Sequence, residues 1–161
     1  GNSARSALAE AYMNAKLSDR FRAYSAGSQP AGKVNPYALE LLGSVGIATD
    51  YLRSKSWDEF ALPDAPKMDF LFTVCDNAAG ETCPVWPGHP ISAHWPFEDP
   101  AAFVGSPDAT RKKFAEVFGQ IRRRVDMFGS LRLRSLDNMA IKRSIDELAH
   151  DTSAAAPESL A

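Results

Sequence analysis

Apolar positions recur along this chain in two rhythms, and each predicts its own kind of element. Leu8, Tyr12 and Ala15 follow at i, i+4 and i+7, which predicts a helix over 4–15. Phe114, Phe118, Ile121, Val125 and Phe128 step by four and three after Ser106-Pro107, the signature of a capped helix with a core-facing stripe. Asn35-Pro36 supplies a cap and a first-turn proline for a helix running to about Ser44 and closed by Gly46. Asp137 can cap a last helix carrying Ile141, Ile145 and Leu148. The other rhythm is the short continuous apolar run. Asp69 to Val74 is apolar nearly throughout, as a parallel strand covered on both faces requires, and Ile91 to Trp95 is a second, shorter candidate. A third extended run, Phe21 to Ser25, stops at a loop composition, and Leu52 to Ala61 reads as a short helix or irregular turn. Strands alternating with helices predict α/β architecture around a parallel sheet.

Composition changes this picture little. The 161 residues suit one domain, and 45% hydrophobic with 24% charged residues is ordinary for a globular protein. Eighteen Lys and Arg against twenty Asp and Glu leave a net charge of -2, so the overall field favours neither nucleic acid nor an anionic membrane, and any anion site must be local. The densest apolar stretch, Phe70 to Cys75, is strand-sized and too short to cross a membrane. With no basic and apolar leader in view, the expected address is cytoplasmic. In such a compartment two cysteines, Cys75 and Cys83, are candidates for chemistry rather than a structural scaffold.

Three constellations carry chemistry. Gly1-Asn2-Ser3-Ala4-Arg5-Ser6 leads straight into a helix, placing backbone N–H groups and a guanidinium where a tetrahedral oxyanion can be held; the same start also serves as a plain helix cap. His94 to Pro100 sets Asp99 before a proline in an aromatic stretch, suited to protonating a leaving oxygen, although a turn aspartate is the ordinary reading. Cys75 ends the best strand and Cys83 lies eight positions on, inside a long aperiodic loop over 76–88. A bridge between them requires their Cα atoms to come within about 7 Å, hence a moving loop.

Taken in order, Gly1 to Ser6, Tyr24 to Ser28, Asn35-Pro36, Val74-Cys75-Asp76, Cys83-Pro84 and Trp95 to Pro100 resemble the thioredoxin-coupled arsenate reductases, which share the fold of low-molecular-weight protein tyrosine phosphatases. The resemblance covers about residues 1–128, with 129–150 expected as a helical extension and 151–161 as a flexible tail. It implies a three-layer α/β fold with a four-stranded parallel sheet flanked by helices. In the family's loop, Cys-x5-Arg-Ser, the nucleophilic cysteine falls two positions before Gly1, and the first strand precedes it. The residues from Gly1 onward therefore do not themselves supply that thiol and are not expected to reduce arsenate alone.

The resemblance also implies roles. Arg5 and the amides of Gly1, Asn2, Ser3, Ala4 and Ser6 bind arsenate or a similar oxyanion such as phosphate or sulfate; Asn2 braces the loop, and Ser6 helps keep the thiolate ionised. Asp99 acts as the general acid. Cys75 then attacks the arseno-cysteine adduct, Cys83 attacks Cys75, and thioredoxin regenerates the pair, with no cofactor. Some members bind potassium through Asn, Glu and Ser side chains, which points to Asn2, Glu10 and Ser25; a further Asp has no match, Trp57 standing near its place. Two rival readings remain. One is a phosphotyrosine phosphatase, disfavoured because Ala101 and Ala102 follow Asp99-Pro100 where a substrate-stacking tyrosine is usual. The other is a zinc module built from Cys75, Cys83, His89 and His94, whose C-x7-C spacing is wider than usual. The basic run Arg122-Arg123-Arg124, with Arg111, Lys112 and Lys113, could serve a partner, but is expected to form a solvated helix face, its stems partly snorkelling over the core.

Overall fold

The computed structural model describes residues 1–74, 89–133 and 137–150. The chain opens directly into α1, Arg5–Lys16, followed by α2, Pro36–Ser44. A 3-10 turn at Trp57–Phe60 precedes β1, Phe70–Thr73, and β2 covers Ile91–His94. A second 3-10 turn, Pro100–Ala102, leads to the long helix α3, Pro107–Gly129, and α4 spans Asn138–Leu148. Among the described residues β1 and β2 form a two-stranded parallel sheet in the register Phe70 with Ile91 through Thr73 with His94. Parallel pairing with helical layers makes the fold α/β, as expected.

Local chemistry accounts for the helix boundaries. The Asn35 side chain accepts the Tyr37 N–H at 2.9 Å, Ser106 accepts from Ala109 at 3.1 Å, and Asp137 accepts from Ala140 at 2.7 Å, satisfying donors with no partner inside the helix. Gly46 turns the chain after α2 with φ +79°, a conformation most side chains resist. Helix α1 differs from these three. Its cap position is Ala4, and no side chain caps it.

One core unites the elements. The predicted α3 stripe is buried throughout, with Val117, and packs against Leu8 and Tyr12 of α1. Tyr12 meets Phe118 edge to face at 5.8 Å and donates to Asp126 at 2.7 Å, tying α1 to α3 at both ends of the ring. The α1 stripe departs from expectation at Ala15, which is exposed; Ala7 and Ala11 are buried beside Leu8 and Tyr12, small residues that let the helices approach. Phe70 and Phe72 surround Phe128 from β1, and Trp95 stacks on Phe72 at 4.0 Å. Helix α4 packs Ile141, Ile145 and Leu148 into the same core, against β2 and α3.

Two further expectations need correction. Phe21 to Ser25 is not a strand: its Ala23 N–H and C=O are both taken by the Asn14 side chain, at 2.8 and 3.0 Å, so a helix residue does the work of a neighbouring strand. The basic residues on α3 form a solvated face only in part: Arg111, Lys112 and Arg123 are exposed, but Arg122 and Arg124 are not. Arg122 is 6% and Arg124 2% exposed; one guanidinium lies over Tyr12 and Phe118, the other 4.3 Å from the centre of the Phe97 ring. A guanidinium is weakly hydrated and planar, so aromatic faces and carbonyls can replace its water. Only Arg123 of the three lies exposed.

Candidate functional site

The uncapped start of α1 forms the floor of the site. The loop ahead of it is held from behind through its carbonyls: Gly1 O accepts from Ala31 at 2.8 Å and from the Ser54 hydroxyl at 3.2 Å, and Ser3 O accepts from Asn35 at 2.8 Å. Asn2, with φ +49°, sits in the left-handed region, where asparagine is the side chain best tolerated after glycine. Its amide donates to Ser6 Oγ at 2.8 Å and its Oδ1 accepts the Lys55 N–H at 2.9 Å. Gly27 allows this fold-back, since a Cβ there would lie 3.2 Å from Asn2 Cβ and from Asn2 N. The free N–H groups of the first turn and the positive end of the helix dipole thus face a position available to an anion.

The stretch after β2 brings a carboxylate to this helix start. Trp95 N–H reaches Thr73 O at 2.7 Å and Phe97 N–H reaches Val74 O at 3.2 Å, so strand-like pairing continues past His94. Trp95 and Phe97 are buried, Pro96 and Glu98 exposed. With a period of two, Asp99 falls on the inward side where the core ends. Its carboxylate stands 3.4 Å from the Arg5 guanidinium, whose other arm donates to Phe97 O at 2.9 Å. Asp99 also accepts the Ala101 N–H at 3.0 Å, and Pro100 is buried, fixing the turn. Cation, helix amides and carboxylate therefore meet at one mouth.

The family model described as low molecular weight phosphotyrosine protein phosphatase matches residues 1–138. The chain belongs to this family. Within it, an arsenate reductase of Shouchella clausii (strain KSM-K16) is 34% identical over 128 residues, 80% of this chain and 88% of that one. An arsenate reductase of Bacillus subtilis (strain 168) is 35% identical over the same shares. Among solved structures, an arsenate reductase in the phosphate binding state superposes with TM-score 0.62 at 26% identity, covering 80% of this chain and 90% of that one.

Of the residues singled out from sequence, Gly1 to Ser6 and Asp99 come together as described. Cys75 and Cys83 lie outside the described residues. His94 Nδ1 is 2.6 Å from Thr73 Oγ1 across the strand pair, and His89 is exposed with φ +50°. No helix among the described residues is long and apolar enough to cross a membrane.

Behind the loop lies the trio suggested for potassium, and its geometry does not fit that ion. Glu10 Oε1 already accepts the Ser25 hydroxyl at 2.6 Å, and both polar ends of the Asn2 side chain are engaged. Lys55 Nζ is 3.9 Å from Glu10 Oε1, with both side chains 5% exposed, so a second positive charge would meet the first. Lys55, not Trp57, is the residue set against Glu10. Burial raises the Glu10 pKa and lowers that of Lys55, in each case outweighing the pull of the partner.

Sequence reading missed Lys55, read Arg124 only as part of a solvated basic run, and took Gly27 only as part of the Tyr24 to Ser28 motif without its packing role. Arg124 lies over Phe97 and donates to Pro96 O at 3.3 Å, bracing the Asp99 stretch from α3.

Proposed function

We propose that this protein reduces arsenate to arsenite, with residues 1–6 as the oxyanion cradle and Asp99 as the general acid. The observation that carries this reading is the meeting of Arg5 with Asp99 at the uncapped start of α1. The attacking thiolate is the one the family's loop carries two positions ahead of Gly1. It forms a sulfur–arsenic bond while one arsenate oxygen leaves as water, taking the proton from Asp99. The Cys75 thiolate attacks the arsenic-bound sulfur. A disulfide forms, and the electron pair of the broken bond stays on arsenic, released as arsenite. Cys83 then displaces the loop sulfur from Cys75, leaving a Cys75–Cys83 disulfide for thioredoxin to reduce. Potassium has no part in this scheme.

Phosphotyrosine hydrolysis is the second reading, and the exposed Ala101 and Ala102 beside Asp99 speak against it, because they offer no face for a substrate ring. Single-turnover arsenite release is the test. Asp99→Asn should slow it by roughly 100-fold while phosphate still binds. Cys83→Ser should release one arsenite per protein and then stop when thioredoxin is the reductant. Unchanged release by Asp99→Asn rejects its role; sustained turnover by Cys83→Ser rejects the relay.

A further inference from the structure

A positive charge sits beside Glu10, one of the trio Asn2, Glu10 and Ser25 that the resemblance suggested for potassium, and it belongs to the chain itself. Lys55 reaches the back of the oxyanion loop in two ways. Its backbone carries the loop: the N–H donates to Asn2 Oδ1 at 2.9 Å, and the C=O accepts from Gly27 at 3.0 Å, the glycine packed on Asn2. Its ammonium faces Glu10 at 3.9 Å and donates to Arg53 O at 3.2 Å, while Glu10 is held by Ser25. A lone buried carboxylate beneath a loop that must accept an anion would oppose that anion and draw the helix start out of place. We propose that Lys55 is a positioning residue whose fixed ammonium neutralises Glu10 while its backbone N–H holds Asn2, replacing a bound monovalent cation and making oxyanion binding independent of potassium. This rests on the reading of residues 1–6 as an oxyanion cradle.

The same geometry says what removing the ammonium should do. Lys55 and Glu10 are among the residues lining a cleft of about 540 Å³, with Tyr24, Tyr51, Arg53 and Phe60. A small cation can therefore reach the carboxylate once the lysine is gone. Inorganic phosphate is the probe, its binding followed by calorimetry in potassium chloride, sodium chloride and choline chloride at equal ionic strength. The parent protein should bind phosphate with the same affinity, within about twofold, in all three salts. Lys55→Met should bind at least about tenfold more weakly in choline chloride and recover most of that loss in potassium chloride. The double variant Glu10→Gln, Lys55→Met carries no lone buried charge; it should fold, and should bind phosphate with near-parental affinity in every salt.

A parent protein that binds no phosphate defeats the oxyanion cradle itself. Phosphate affinity of the parent that rises with potassium defeats the present inference alone. So does a Lys55→Met variant as tight as the parent in choline chloride, or a double variant as weak as the single one. If Lys55→Met does not fold, the parent and the double variant still decide.

Discussion

Trp95 opens the stretch that leads to Asp99, and replacing it with phenylalanine tests how that stretch is anchored. The indole is 3% exposed, stacks on Phe72 with ring centres 4.0 Å apart, and donates its N–H to Ile145 O at 2.9 Å. Ile145 lies in the last turn of α4. The Ala149 N–H that would close the next helical bond on it goes instead to Asp146 O at 3.1 Å, so Trp95 satisfies a carbonyl the helix leaves over. Phenylalanine keeps the stack but removes two buried carbons, about 1.5 kcal/mol, and the hydrogen bond, about 1 kcal/mol, with a further penalty for a dry carbonyl. The sum is about 3 kcal/mol, a large part of the 5–15 typical of a domain. Denaturant unfolding followed by far-UV circular dichroism measures it. In a chain ending before Asp137 the acceptor is gone, so Trp95→Phe should cost only about 1.5 kcal/mol there. Equal costs in the two backgrounds would refute the anchoring of the Asp99 stretch by α4, as would a loss in the full chain below about 1 kcal/mol.

Arg124→Met keeps the aliphatic stem but loses the contact with Phe97 and the bond to Pro96 O; stability should fall by about 2 kcal/mol and single-turnover arsenite release by about tenfold. Release at the parental rate would show that α3 does not position the acid. Glu98→Gln should leave release within about twofold, because Glu98 faces solvent and Lys113 at 3.3 Å; a loss as large as that of Asp99→Asn would move the acid role to Glu98. Burial raises the Glu10 pKa, so the folded state holds its proton to higher pH than the unfolded chain. That contribution is fully present below the ordinary value of 4.5 and is lost as pH rises through the folded value. Apart from a constant offset, Glu10→Gln should lack this decline in unfolding midpoints as pH rises above the ordinary carboxylate value of 4.5, and parallel profiles would refute it.

Periodicity and capping chemistry made most of the fold legible because both are local. The α3 stripe, the caps at Asn35, Ser106 and Asp137, and the two strands each depend on residues within a few positions of one another. The misreadings share a different cause. Whether Arg124 meets water or an aromatic face is decided by Phe97, and whether Phe21 to Ser25 pairs as a strand is decided by Asn14. Lys55 meets Glu10 only because Gly27 lets the two segments close on Asn2. In each case the deciding partner lies on another element, and no pattern along the chain announces it. The proposed oxyanion cradle was legible for the opposite reason, since its small residues, arginine and helix start are consecutive.

The placement of the acid combines both kinds of information. Period two beyond β2 turns Trp95, Phe97 and Asp99 inward and Glu98 outward, which already separates two adjacent carboxylates into different surroundings. Period alone would leave Asp99 at the ragged end of a sheet. Three other elements fix it there: α4 through the Trp95 indole, α3 through Arg124 on Pro96 O, and α1 through Arg5 on Phe97 O. Both arginines bind backbone carbonyls of the stretch, so its position is set by the main chain and does not depend on the carboxylate. Arg5 can accordingly hold the stretch through Phe97 with one arm while the arm now facing Asp99 turns to an oxyanion. In the proposed mechanism Asp99 then stays beside the anion it protonates, because binding that anion leaves its anchors in place.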